Sequence, residues 1–210
     1  MTAAFSHAQL LAWRNEPIEI GAQAAKSAAL RFGNSTWIRD TPPCAKGCIA
    51  SIVRNNETVV CDAWPSPEAL DENDRVVLIV SPDTTTSWLA YLDHLSRGGP
   101  ERFAIAPLSR LSGATFKLWL IASARLILSP GKRTIHVEAC HDALGVGLAQ
   151  VALDFGANVL AGPIDPDRHL PLAGVSRPTE RTFVGLTTLV EQAGRIPRTG
   201  KNDPFAGAKL

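Results

Sequence analysis

The stretch ATFKLWLIASARLILSPGKRTIHVEACHDALGVGLAQVALDFGANVLAG, residues 114–162, decides the fold. Its first part, 114–128, gathers Phe116, Leu118, Trp119, Leu120, Ile121, Leu126, Ile127 and Leu128 around Lys117 and Arg125. That apolar arc is wider than a surface helix needs and predicts a helix covered by other elements. Residues 133–138 are short, β-branched and alternating, which suits a strand. Residues 145–155 read as a second helix stopped by Gly156, with a short strand over 158–161. Strand alternating with helix at this spacing predicts parallel βα units.

The same grammar continues outward. Residues 75–81 are a continuous apolar run, as a parallel strand buried on both faces requires. A helix over 84–97 and a strand over 102–107 follow, and a last helix over 180–193 lies beyond the polar loop 163–179. Upstream, residues 5–32 read as helical, with Pro17 at a tolerated first-turn position, and 35–38 as a strand. Between 53 and 70 the pattern is hairpin-like or irregular, with a turn at 55–57 and a short strand at 58–61. The acidic run 71–74 reads as a solvated surface turn, and Trp88 and Trp119 as core. The fold class is therefore α/β, either a truncated (βα) barrel or an open parallel sheet flanked by helices. We expect one domain over 1–210: a helical lead-in and first strand over 1–40, βα units over 75–197, and a loose tail over 198–210.

At 210 residues the chain can bury roughly 70% of its unfolded surface. A hydrophobic fraction of 45% and a formal net charge of +1 describe a globular chain without an electrostatic case for nucleic acid or an anionic membrane. The N-terminal residues lack the basic region and apolar run of a signal peptide, and the most apolar helix is too short to span a bilayer. The expected location is the cytoplasm. Four cysteines do not make a disulfide framework here.

Three groups of residues carry chemistry. Cys44 and Cys48 lie four apart beside a Pro-Pro turn, with Ser51 three further on. His136, Glu138 and His141 lie at or beyond the C-terminal end of the predicted strand, where parallel βα folds place active residues. Alternation puts His136 and Glu138 on one face, while His141 and Asp142 suit a helix cap. Asp165, Asp167 and His169 crowd one loop, as turn residues or as carboxylate and imidazole ligands of a metal.

Two blocks carry a resemblance. Residues 148–158, Leu148 to Asn158 through Asp154-Phe155-Gly156-Ala157, and residues 191–197, Glu191-Gln192-Ala193-Gly194-Arg195-Ile196-Pro197, resemble the late blocks of one radical-SAM subfamily. That subfamily contains aminofutalosine synthase, dehypoxanthine futalosine cyclase and the deazaflavin-cofactor synthases. The resemblance implies a cluster loop after the first strand, with thiolates spaced CxxxCxxC. Cys44 and Cys48 match its first two positions, and Ser51 stands at the third, where a serine hydroxyl is a poor substitute for a thiolate. The family's intervening strands, with the segment that orients the cofactor amino group, have no counterpart between about 62 and 74. Asn158-Val159 replaces the usual acidic pair.

The resemblance therefore implies a degenerate relative of menaquinone-pathway enzymes that acts as a non-catalytic binding or scaffolding subunit. The alternative is an active synthase-like or cyclase-like enzyme with an unusual 4Fe-4S ligand set at Cys44, Cys48 and Ser51. His136 and Glu138 are the catalytic candidates. No cofactor is expected unless the family chemistry survives, in which case a 4Fe-4S cluster and S-adenosylmethionine are. The expected partners are a nucleoside-like ligand and a second copy or a related full-length chain. With its strands incomplete, the sheet should expose residues 75–81 at an edge, and a dimer would meet there through Val77, Ile79 and the helix of Trp88. A fold of residues 62–74 over that edge is the alternative.

Overall fold

The computed structural model describes residues 5–43, 47–55, 57–110, 112–131, 133–166 and 180–200. Cys44, Asp167, His169 and the end of the expected tail, 201–210, lie outside the described residues. In chain order the elements are α1 (His7–Ala12), α2 (Pro17–Phe32), β1 (Ser35–Asp40), β2 (Ala50–Arg54), β3 (Glu57–Cys61), β4 (Arg75–Ile79) and α3 (Thr85–Gly98). There follow β5 (Arg102–Leu108), α4 (Ala114–Leu128), β6 (Thr134–Cys140), α5 (His141–Leu144), α6 (Val146–Ala152), β7 (Val159–Gly162), α7 (Phe183–Gln192) and β8 (Ile196–Arg198). The strands form one open sheet in the order β3-β2-β4-β5-β6-β7-β1-β8, flanked by helices. It is parallel except where β2 meets β3 and β4. None of the described helices is long and apolar enough to cross a membrane.

Three sequence expectations are corrected here. Strand β4 is not an edge, because β2 pairs with it antiparallel on one side and β5 parallel on the other. Val77 is 1% exposed and Trp88 fully buried, so neither can form a dimer contact. The cover comes from the hairpin β2–β3, in a stretch whose first half reads in the sequence as a cysteine loop. The hairpin turns at Asn55, which takes the left-handed φ of 49° that asparagine tolerates. The acidic run is not wholly solvated either. Arg54 donates to both oxygens of the buried Asp74, at 2.9 and 2.7 Å, and so ties the end of β2 to the start of β4. Strand β8, unpredicted, adds to the outer side of β1.

The two faces of the sheet differ. Val76, Leu78, Ile105, Ile135, Val137 and Leu160 pack with α2, α3 and α4 in the main core. Helix α4 sits at its centre, and Trp88 and Trp119 join it as expected. Each indole N–H is satisfied, Trp88 by the Ser123 hydroxyl at 3.0 Å and Trp119 by the Leu10 carbonyl at 2.8 Å. Arg125 of α4 is fully buried and donates to the carbonyls of Gly156 and Ile135 and to the Asn158 side chain. The other face carries Val77, Ala106, Leu108, Cys140, Val159 and Ala161 with the chemistry described next.

Candidate functional site

On this second face, alternation along β1, β4 and β6 points Arg39, Arg75 and Glu138 the same way. Glu138 is fully buried and ion-paired twice, to Arg39 and to Arg75, each at 2.6 Å. Each arginine crosses one intervening strand, over β7 and β5 respectively, where Ala161, Ala104 and Ala106 leave room for the guanidinium stems. Arg75 also reaches the Cys140 sulfur at 3.3 Å. Burial alone would raise the Glu138 carboxyl, but Arg75 and then Arg39 overcome it and hold it below the usual carboxylate range.

His136 sits near the N-terminal end of β6, not at its C-terminal end as expected, and Glu138 sits in mid-strand. The Asn158 side-chain oxygen already accepts from Arg125 and from the Val137 amide, so its NH₂ group must donate to His136 Nδ1, 3.1 Å away. The imidazole is thus neutral, with its proton on Nε2. Burial, then Arg39, Arg125 and Arg102, push its pKa down to about 2. His136 and Glu138 lie on one face as expected, yet each is held in structural bonds, and the pair offers no group that titrates near neutrality.

The C-terminal ends of the parallel strands, where open α/β sheets take ligands, carry a different set. His141 follows β6 and is 2% exposed, and among the described residues the Gly162 backbone is the only group its ring nitrogens approach for a hydrogen bond. It does not cap α5, whose N-cap is Cys140. Its ring lies against Gly162 at the end of β7. A Cβ there would come within 2.6 Å of Nε2, and the Gly162 φ of 146° also disfavours a side chain. Burial lowers the His141 pKa; Asp142 opposes this, Arg181 adds to it, and the Gly162 backbone and Asp165 oppose it. Thr41, just past β1, donates its amide to the Gly162 carbonyl at 3.2 Å, and its buried hydroxyl has no partner among the described residues. The Ile164 amide donates to Asp40, and Asp165 bridges to Thr182 at the start of α7. These bonds gather β1, β7 and α7 around His141.

The cysteine loop opens at the same edge. Cys48 is buried and its carbonyl accepts from Arg110 at 3.2 Å. Ser51, however, lies inside β2, opposite Val60 on one side and Val77 on the other. It is 2% exposed and forms part of an antiparallel ladder rather than of a loop. Of the implied ligand set, Cys48 precedes β2, Ser51 is held within it, and Cys44 lies outside the described residues. Among the described residues no group of three His, Cys, Asp or Glu side chains converges in a way that would hold a metal.

Sequence reading missed Arg39, Arg75, Thr41 and Arg110. The signal for the first two was present, since each is a cation two residues from an apolar side chain of its strand, Trp37 or Val77, and so on the same face. Thr41 and Arg110 gain meaning only from register. No family model matches the chain, and no curated protein matches it at a significant level.

Proposed function

We propose that this chain is a non-catalytic binding or scaffolding subunit, a shortened relative of the menaquinone-pathway radical-SAM enzymes built on a truncated barrel. It takes a nucleoside-like ligand at the C-terminal edge formed by Thr41, His141 and Gly162. The observation that carries the non-catalytic half is the position of Ser51, a hydroxyl fixed in a β-ladder where the family has a thiolate in a loop. The ligand half is supported by the buried Thr41 hydroxyl, which has no partner among the described residues, and by the buried His141 ring, which has at most the Gly162 backbone. A ring with one N–H and one acceptor nitrogen, beside a hydroxyl, matches the mixed donors and acceptors of a nucleoside. The pinned state of Glu138 agrees, because a carboxylate neutralised by two guanidiniums is a weak base.

The partner in this reading is a second copy. Of the two edge strands, β3 and β8, β3 has Val59 55% and Val60 58% exposed and no proline or lysine to block pairing. Antiparallel pairing of two β3 strands about Val59 sets Glu57 against Cys61, so no like charges meet. A two-fold axis produces that arrangement.

Anaerobic reconstitution with iron and sulfide tests the non-catalytic half. The expected result is no stoichiometric cluster and no 5′-deoxyadenosine from S-adenosylmethionine. Four irons per chain with 5′-deoxyadenosine release would overturn it and favour the enzyme reading.

A further inference from the structure

The opposite ends of the strands hold a second site. A cleft of about 740 Å³ opens between α2, the end of α4 and the start of β6. Its floor is apolar, from Phe5, Phe32 and Leu126, and Lys26 and Arg31 stand on its wall. Behind the floor, the buried Arg125 guanidinium lies 4.9 Å over the Phe32 ring. Among the described residues, three cations thus lie at or behind one cleft, no acid lines it, and no carboxylate forms an ion pair with any of the three. Arg125 spends its donors on carbonyls and an amide oxygen, which satisfy its hydrogen bonds and leave its charge uncompensated. Arg31 repels it further. The Ser129 hydroxyl, sunk in the same wall, has no partner among the described residues. A cavity in the size range of small-molecule sites, mostly apolar and with a few convergent polar groups, is how such sites are built.

We propose that this cleft binds a small amphipathic monoanion, an acyl or aryl carboxylate, with its apolar body on Phe5, Phe32 and Leu126 and its carboxylate at Lys26 and Arg31. The bound anion supplies the charge that the three cations lack, and Ser129 supplies a neutral donor to it. The site is separate from the C-terminal edge, so this inference does not depend on the function proposed there.

Calorimetric titration of the full chain with decanoate, 2-naphthoate and the uncharged decanamide is the test, with circular dichroism as a check on each variant. At least one carboxylate should bind saturably at one per chain, and the better of the two identifies an acyl or an aryl body. Decanamide should bind at least tenfold more weakly than decanoate, and so should the better carboxylate to Lys26→Glu. Lys26 is exposed, so this variant should keep the fold. Arg31→Met serves as a second variant, and it relieves repulsion on Arg125. Absence of saturable binding by both carboxylates, equal binding of decanamide, or unchanged affinity in both variants would each overturn the proposal.

Discussion

At the scale of single residues, the molecule spends its buried charges on structure. Glu138→Gln keeps the shape and removes the carboxylate that Arg39 and Arg75 share, in a buried setting. Breaking a buried pair in this way costs about 3–5 kcal/mol, and the urea midpoint at pH 7 should fall accordingly. His136 makes a different prediction. Its folded pKa of about 2 lies far below the 6.5 of the unfolded chain. Below pH 6.5 the unfolded chain therefore takes a proton that the folded chain refuses. The stability is complete above that pH and declines as the pH falls, by about 1.4 kcal/mol per unit. Between pH 7 and 5 the chain should lose roughly 2 kcal/mol through His136 on the same slope, and His141, also lowered, adds to the loss. Urea titrations at the two pH values should show the slope reduced by one proton in His136→Gln. Glu138, lowered from the carboxylate range, contributes above about 4.5 and is lost only in stronger acid, so the two effects separate.

At the scale of elements, periodicity made β4, α3, β5, α4, β6 and β7 legible because each is buried in a way its pattern records. The continuous apolar run of β4 and the wide apolar arc of α4 are direct marks of two-sided burial. Strand β2 was not legible, since Ala50 to Arg54 follows the cysteines with no turn signal to separate loop from strand. Its pairing with β4 is a tertiary choice, fixed by Arg54 reaching Asp74. Strand β8 is three residues long with a central proline, which edge strands tolerate and sequence rules demote. Of the candidate site, His141 was visible as a histidine beside a predicted helix. The roles of Thr41 and Gly162 come from β1 lying next to β7, a contact between residues about 120 apart in sequence. The exposed hairpin makes a prediction of its own. Light scattering at low micromolar concentration should report a dimer for the wild-type chain and a monomer for Val59→Lys, which blocks the β3 edge. A monodisperse wild-type monomer would rule out pairing across β3.

At the scale of the whole molecule, the parallel strands give the protein two unlike ends. The N-terminal ends lean on α2 and α4 and are held by the Arg125 network. The C-terminal ends carry Thr41 after β1, His141 after β6, and Ile164 and Asp165 after β7, tied to one another and to the start of α7. Open α/β sheets favour ligand binding at the second end, because the loops there vary while the sheet stays rigid. Between the ends, Glu138 is clamped by Arg39 and Arg75. The function proposed above is recognition without turnover. Its most direct test is calorimetric titration of the chain with adenosine, followed by chromatography of the ligand after anaerobic incubation with S-adenosylmethionine and dithionite. The expected result is saturable binding at one per chain, weakened at least tenfold in both His141→Leu and Thr41→Val, and a ligand recovered unchanged. Absence of binding, affinity untouched by both substitutions, or conversion of the ligand would contradict it.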